Sequence, residues 1–365
     1  MKNLVHIFFS RLFDWLFRVR SIGAHLLRTG VSLLGLLLAA SFAAKLAFQT
    51  NTVKFDFQVD TGGGLPEWLT YSVAALSMML IAVGIALLLR DDRREQRKQL
   101  IIIEVRGLHS SPDTPLKHAV RPAFRGLRSP VLVDFRPSHS SELVNPERIL
   151  DSVEGMTLHV KSAAEGRDMS DVTVAMGGVA AVPAMFFIGM RMDDESHVEL
   201  YDWERDVKCW KLIAEPDDGN RPLPLQIPAI TPGQTEVVLA VSASYAVDDG
   251  AIAATFPGLP VVKLSATKIQ ANSYWSEEVQ LAFAVEFRKA VQTLMELQVE
   301  QIHLLLVAPA SLALRLGATY DERLHPRLIV YQYERSSTPP YPWGILLPHH
   351  GSHKPSIHSS SPVAG

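Results

Sequence analysis

Residues 68–89 are 22 consecutive amino acids without a charge, and no other feature constrains the chain as tightly. Inside a hydrocarbon layer roughly 30 Å thick no water satisfies the backbone, so a spanning segment closes its own hydrogen bonds as a helix of about 20 residues. The run is therefore read as a transmembrane helix. A second span is expected at residues 29–48, where the one cation, Lys45, either snorkels to the nearer interface or faces a partner helix.

Arginine and lysine set the orientation. Lys2, Arg11, Arg18, Arg20 and Arg28 precede the first span, and Arg90, Arg93, Arg94, Arg97 and Lys98 follow the second, whereas residues 49–65 of the 49–67 connector carry Lys54 against Asp56 and Asp60. Basic flanks stay on the cytoplasmic side, which places both termini in the cytoplasm and the connector outside. No cleavable signal peptide is required, because the first run is long, lies well inside the chain and is followed by another. Within the N-terminal residues 1–28, the segment 4–17 is rich in Phe, Leu and Trp, with His6, Ser10, Asp14 and Arg18 along one stripe. That is the pattern of an amphipathic helix lying in the interface.

From residue 100 the pattern changes. Short β-branched runs at 101–105, 131–135, 172–175, 198–201, 237–241, 261–264, 302–307 and 328–333 alternate with helical stretches, as in an α/β domain built on a largely parallel sheet. Shifting the chain by 130 positions lays 131–205 on 261–335 without a gap: Val131 falls on Val261, Val172 on Ile302, and YDWER at 201–205 on YQYER at 331–335. Two Rossmann-like halves are expected, at 100–214 and 234–348, joined by a Pro-rich linker at 215–233. Tyr201, Trp203, Tyr331 and Tyr333 alternate along strands and are expected in packing, with Arg205 and Arg335 in ion pairs to Glu204, Glu334 or other acids. The tail, 349–365, sets His349, His350, His353 and His358 among Ser and Pro and is expected to be disordered, with weak metal binding as the other possibility.

Composition excludes several function classes. With 47% hydrophobic residues the chain is no disordered protein, and a single cysteine, Cys209, leaves no internal disulfide and no multi-cysteine metal site. Cys209 reads as a small core residue rather than a reactive thiol. Basic and acidic residues number 35 and 38, so no DNA or RNA polymer is expected as partner, and any anion site must be local. No Walker loop, HExxH or GxSxG occurs. Asp193 or Asp194 with Asp206 and Lys208 has the residue types of a metal-dependent nuclease core, but at loose spacing, and Asp248 with Asp249 before Gly250 reads as a turn.

Residues 236–347 resemble the SAVED domain, a sensor of cyclic oligonucleotides in bacterial CBASS anti-phage systems. The resemblance is carried by VSAS at 241–244, the helix at 275–298, HLLLVAPASLALRLG at 303–317, and VYQYE at 330–334 followed by Tyr341 and ILLP at 345–348. Two membrane helices ahead of it match the transmembrane SAVED effectors. The fold class so implied is α/β: two fused CARF-like (Rossmann-like) units forming a SAVED domain, preceded by two transmembrane α-helices. The resemblance further implies a two-pass protein of the bacterial inner membrane with no cofactor. Its ligand would be a cyclic di- or trinucleotide from a partner CD-NTase, and its output self-association, membrane disruption and abortive infection.

Ligands of open parallel sheets bind beyond the carboxyl ends of the strands, where helix amino ends present free amides to phosphate. That restricts the first half to Arg106, Gly107 and His109, then Arg136, then Met176, Gly177 and Gly178. In the second half it points to Ser242, Ala243 and Ser244, then Lys268, then Ala308, Pro309 and Ser311. Tyr274 and Trp275 either stack a base or pack beneath a loop. Gly177, Gly178, Ser242 and Ser244 either cradle phosphate or simply make turns. Two rival readings stay open: a membrane-anchored nuclease or other hydrolase, and a ligand-independent membrane scaffold.

Overall fold

The chain divides into two units, residues 1–97 and 98–365. The computed structural model describes residues 21–49, 67–108, 112–137, 144–192, 197–231, 233–352 and 354–360. The expected interfacial segment 4–17, most of the 49–67 connector, His109, Asp193 and Asp194 lie outside the described residues, as does the side chain of Lys45.

The first unit is a hairpin of two helices, α1 (Ile22–Gln49) and α2 (Glu67–Arg97). Both exceed the spans read from the sequence. Charged residues 90–97 continue α2 because Arg, Glu and Gln are good helix formers, and Gln96 Nε2 donates to Asp92 Oδ2 at 2.7 Å one turn back. The helices run antiparallel at close range. A Cβ built at Gly30 would lie 2.8 Å from the Ser77 carbonyl, and one at Gly84 would lie 2.7 Å from the Leu27 amide. Small residues let helix backbones approach, the packing favoured where lipid supplies no hydrophobic drive. Among the described residues, α2 from Trp68 onward is the helix long and apolar enough to cross a membrane; its Trp68, Tyr71, Met78 and Met79 are exposed.

The second unit contains two sheets of matching topology. The first half has β1 (Gln99–Arg106), the short helix α3 (Leu116–Ala119), β2 (Leu127–Asp134), α4 (Pro146–Ala164), β3 (Val172–Val179), α5 (Val182–Arg191), β4 (His197–Glu204) and β5 (Cys209–Leu212). The second has β6 (Glu236–Ser242), α6 (Asp249–Thr255), β7 (Val261–Ser265), α7 (Glu277–Glu296), β8 (Gln301–Val307), α8 (Ala310–Gly317), β9 (Arg327–Gln332), β10 (Trp343–Leu346) and β11 (Ser356–Ser359). Strand orders are β2-β1-β3-β4-β5 and β11-β10-β9-β8-β6-β7. In each half four parallel strands are followed by an antiparallel one. The gapless shift of 130 is corrected by the strand ends: the Gly107 and Leu108 amides bond the Val179 carbonyl as those of Ala243 and Ser244 bond Val307, so the first strands match at an offset of 136 and the third at 128, while the pairing of Thr173 with His197 and of Gln301 with Arg327 keeps 130 for the fourth.

Alternation along the strands builds the layers. Ile101, Ile103 and Val105 of β1 and Val237, Leu239 and Val241 of β6 face one shared core that also contains α4, α5, α7 and α8. Leu100 and Ile102 turn the other way, onto Leu116 and Val120, while Val238 and Ala240 pack outward on Ile252 and Phe256. The halves meet at α5 and α8, where a Cβ at Gly189 would fall 2.0 Å from the Leu314 carbonyl oxygen and one at Gly317 2.0 Å from that of Phe186.

The tail and the Asp248–Asp249 turn are corrected, and the linker keeps its place with an added role. Residues 356–359 of the supposed disordered tail form β11, paired antiparallel with β10, and the His358 ring lies edge-on to Tyr331. The Pro-rich linker bridges β7 through Pro222 to Ala266 and Gln226 to Lys263, covering an otherwise open edge. Asp248 caps α6 by accepting the amides of Gly250 and Ala251, and Asp249 pairs with Lys263 at 2.6 Å.

Candidate ligand-binding cleft

The carboxyl ends of β3, β4, β6, β8 and β9 converge on one cavity of about 440 Å³ between the two halves. This lies within the range of small-ligand sites, about 300–1,000 Å³. Parallel strands place these ends together, and the returning helices α5 and α8 start beside them at Val182 and Ala310. Gly178, Val179 and Ala180 form the wall below α5; Ala308, Pro309 and Ala310 form the wall below α8.

The aromatic surface comes from several elements. Tyr245 follows β6, Tyr333 follows β9, and Trp203 near the end of β4 stacks edge-on against Trp210 with ring centroids 5.4 Å apart. Trp275 is set by an unusual loop. Asn272 and Tyr274 occupy the left-handed region at φ 53° and 72°, a conformation that costs about 1–3 kcal/mol for non-glycine residues and persists only where surroundings impose it. Here the Tyr274 hydroxyl donates to the Ala243 carbonyl at 3.0 Å, and Gln280 Nε2 donates to the Tyr274 carbonyl at 2.8 Å. Burial drives the Tyr274 pKa up, so it stays a neutral donor. Trp275 is thereby turned to the cleft, with Lys211 Nζ 4.5 Å from its ring centroid. Across the mouth, Asn272 Nδ2 donates to Asp206 Oδ2 at 2.7 Å.

Charge in the cleft is mixed. Arg205 is exposed, while Asp206 stands beside it and Asp202 lies on the floor. Asp202 Oδ1 accepts the Ser311 amide at 3.1 Å and Oδ2 accepts the Ser311 hydroxyl. Burial pushes the Asp202 carboxyl up to about 6, against the two Ser311 hydrogen bonds that lower it. Among the described residues, no three His, Cys, Asp or Glu side chains gather as a metal site would require.

Of the residues expected from strand-end reasoning, Gly178, Ser244, Trp275, Ala308 and Pro309 line this cavity. The others have structural partners elsewhere. Arg106 pairs with Glu104 and Arg136 with Asp134, both at 2.6 Å, and Arg136 holds the Asp134 carboxyl below its usual range. Gly107 lets Phe135 pass, since a Cβ there would sit 2.2 Å from that ring, and Gly177 lies against the Tyr201 carbonyl. Ser242 Oγ accepts the Val247 amide; the Lys268 backbone is clamped by Asn220; Tyr274 is buried under the loop it shapes. Met176, Ala243 and Ser311 are buried too.

Cleft residues that the sequence did not mark for ligand binding include Asp202, Tyr245, Asn272 and Gln332, together with Arg205, read there as an ion-pair partner, and Asp206, read there with the nuclease-type carboxylates. The signal for Asp202 and Gln332 lay in the paired YDWER and YQYER motifs, whose second positions face the cleft from opposite halves. The expected pairing of arginine with the motif glutamates is corrected: Glu204 faces Lys211 at 3.5 Å, and Glu334 accepts Trp343 Nε1 at 2.8 Å. Tyr201 and Tyr331 are buried as expected, whereas Tyr333 is exposed at the cleft.

Comparison with known proteins adds the family. Residues 158–347 match the SMODS-associated and fused to various effectors sensor domain, SAVED, and residues 1–150 match the SAVED-fused 2TM effector domain. No curated protein matches the chain. Among solved structures it is similar to the Cap4 SAVED/CARF-domain containing receptor of Acinetobacter baumannii with the cyclic trinucleotide 2'3'3'-cAAA, at 14% identity and TM-score 0.45 over 74% of this chain and 59% of that one. The same receptor with 3'3'3'-cAAA gives 14% identity and TM-score 0.45 over 74% and 58%; that of Moraxella osloensis gives 12% and 0.40 over 74% and 58%. The chain thus spans under two thirds of these receptors. A duplicated α/β sensor behind an N-terminal helical hairpin, matched by family over both parts, makes this chain a member of the SAVED family, of the kind fused to a 2TM effector domain.

Proposed function

We propose that the cleft between the two α/β halves binds a cyclic di- or trinucleotide and that binding makes copies of the chain associate, so that their helical hairpins breach the bacterial inner membrane. The observation that carries this reading is the convergence of both sheets' strand ends and of the Trp275, Tyr245 and Tyr333 rings on one cavity. Phosphodiesters meet backbone amides at such strand ends, and bases stack on aromatic faces for roughly 1–3 kcal/mol each. A ring touching both halves favours whichever arrangement of them fits it, and by linkage it changes self-association only through that difference. In this reading a partner CD-NTase supplies the ligand, both termini are cytoplasmic, the protein is not an enzyme, and membrane damage aborts infection.

Calorimetric titration of the full chain in detergent micelles with a panel of cyclic di- and trinucleotides, including both cAAA linkage isomers, tests the reading. Submicromolar binding of one member with a shift to larger particles supports it, and Trp275→Ala should then weaken binding about tenfold. Folded protein that binds no member overturns it.

A further inference from the structure

The two sides of the cleft are built from equivalent parts that carry unequal charge. At the α5–α8 crossing Gly189 meets Leu314 and Gly317 meets Phe186, so an offset of 128 relates the helices and places Pro183 where α8 has Ser311. Along the strands the offset of 130 relates Asp202 to Gln332. Both of these strand-end side chains border the cavity. On one side a carboxylate meets a helix residue offering both an amide and a hydroxyl. On the other the corresponding positions hold an amide side chain, Gln332, and a proline, Pro183, which has no N–H to offer.

The charged pair is built with care. The residue before α8, Pro309, supplies no side-chain cap, and Asp202 performs that task from the other half, 109 positions away. Gln280 Nε2 donates to the Ser311 hydroxyl oxygen at 2.7 Å, which directs the hydroxyl proton to Asp202; Arg315 Nε in turn donates to Gln280 Oε1 at 3.2 Å. Asp202, Ser311 and Gln280 are all buried.

We propose that Asp202 is a built-in anion that fills the seat at the amino end of α8, so that a ligand phosphate is held off this side of the cleft and an anionic ligand enters in one orientation only. The consequence for a ligand rests on the reading that the cleft takes a phosphodiester ring; the occupied seat does not. A carboxylate and a phosphate present oxygens to the same helix-end donors, where the helix dipole favours either. Removing the side chain leaves the Ser311 amide and hydroxyl facing the cavity with no internal acceptor.

Sulfate is the probe, because it needs no knowledge of the natural ligand. The full chain in detergent micelles, as wild type, Asp202→Ala and Asp202→Ser, is titrated with sodium sulfate against sodium chloride at matched ionic strength while thermal unfolding is followed by tryptophan fluorescence. The variants should gain melting temperature with a saturating sulfate dependence whose midpoint lies at least tenfold below any seen in the wild type. Equal responses in all three overturn the proposal. If Asp202→Ala does not fold, Asp202→Ser keeps an oxygen for the Ser311 amide and decides alone. A wild type that binds no cyclic nucleotide removes the functional reading, while the sulfate comparison still decides the role of Asp202.

Discussion

Two buried ionisable groups in the sensor unit respond to pH in opposite senses. The Asp202 carboxyl titrates near 6 in the folded chain against 3.8 for a free aspartate, so between those values the folded state holds more protons than the unfolded one. Stability from this group is full below about pH 4 and lost as pH rises through 6, by about 3 kcal/mol. His303 works the other way. Burial lowers its pKa although the Glu236 hydrogen bond raises it, which disfavours the charged form of a ring bonded to the Tyr331 hydroxyl at 2.9 Å. Its contribution is present above pH 6.5 and lost as pH falls below that. Asp202→Asn should therefore abolish the decline in stability between pH 4 and 6 and leave the acid sensitivity of His303 intact, as measured by denaturant unfolding across pH. The sequence displayed Asp202 within a repeated motif. It could not display Ser311 as its partner, because side-chain pairing across 109 positions leaves no local periodicity.

Elements with a strong hydrophobic period were legible; those defined by pairing were not. Strands β1, β3, β4 and β6 to β9 were visible as β-branched runs because apolar clusters cover both faces of their sheets, and the edge strand β2, partly exposed, through Val131 and Val133 packed on the shared core. Strand β11 was not, because Ser356, His358 and Ser359 have no apolar pattern and are strand only by bonding to β10. Nor did the sequence mark Gly189 and Gly317 as the crossing point of α5 and α8, since a glycine inside a helix announces closeness without naming the neighbour. Gly189→Ala would set a methyl group 2.0 Å from a backbone oxygen that cannot rotate away. It should cost about 3 kcal/mol or more and lower the urea midpoint of the sensor unit, with Gly155→Ala, at a helical site with no close neighbour, as the mild control.

At the scale of the molecule, the charge-free run at 68–89 indicated a membrane helix because lipid permits so few alternatives. The repeat likewise indicated two halves. The cleft required the fold, since neither half alone shows which strand ends face each other. The full chain should stay with membranes through alkaline carbonate extraction, whereas a chain beginning at Lys98 should appear in the soluble fraction.

The two halves share one polypeptide, and symmetry gives that fact its consequence. A receptor assembled from two identical chains must repeat every residue across its axis, so an acid introduced at one end of the groove appears at the other. Here the segment at 215–233 joins two copies that have diverged, with aspartate in one motif and glutamine in its counterpart. If the cleft takes a ring-shaped ligand as proposed, a single chain of this kind can tell one half of the ring from the opposite half, a distinction closed to any strictly two-fold homodimer.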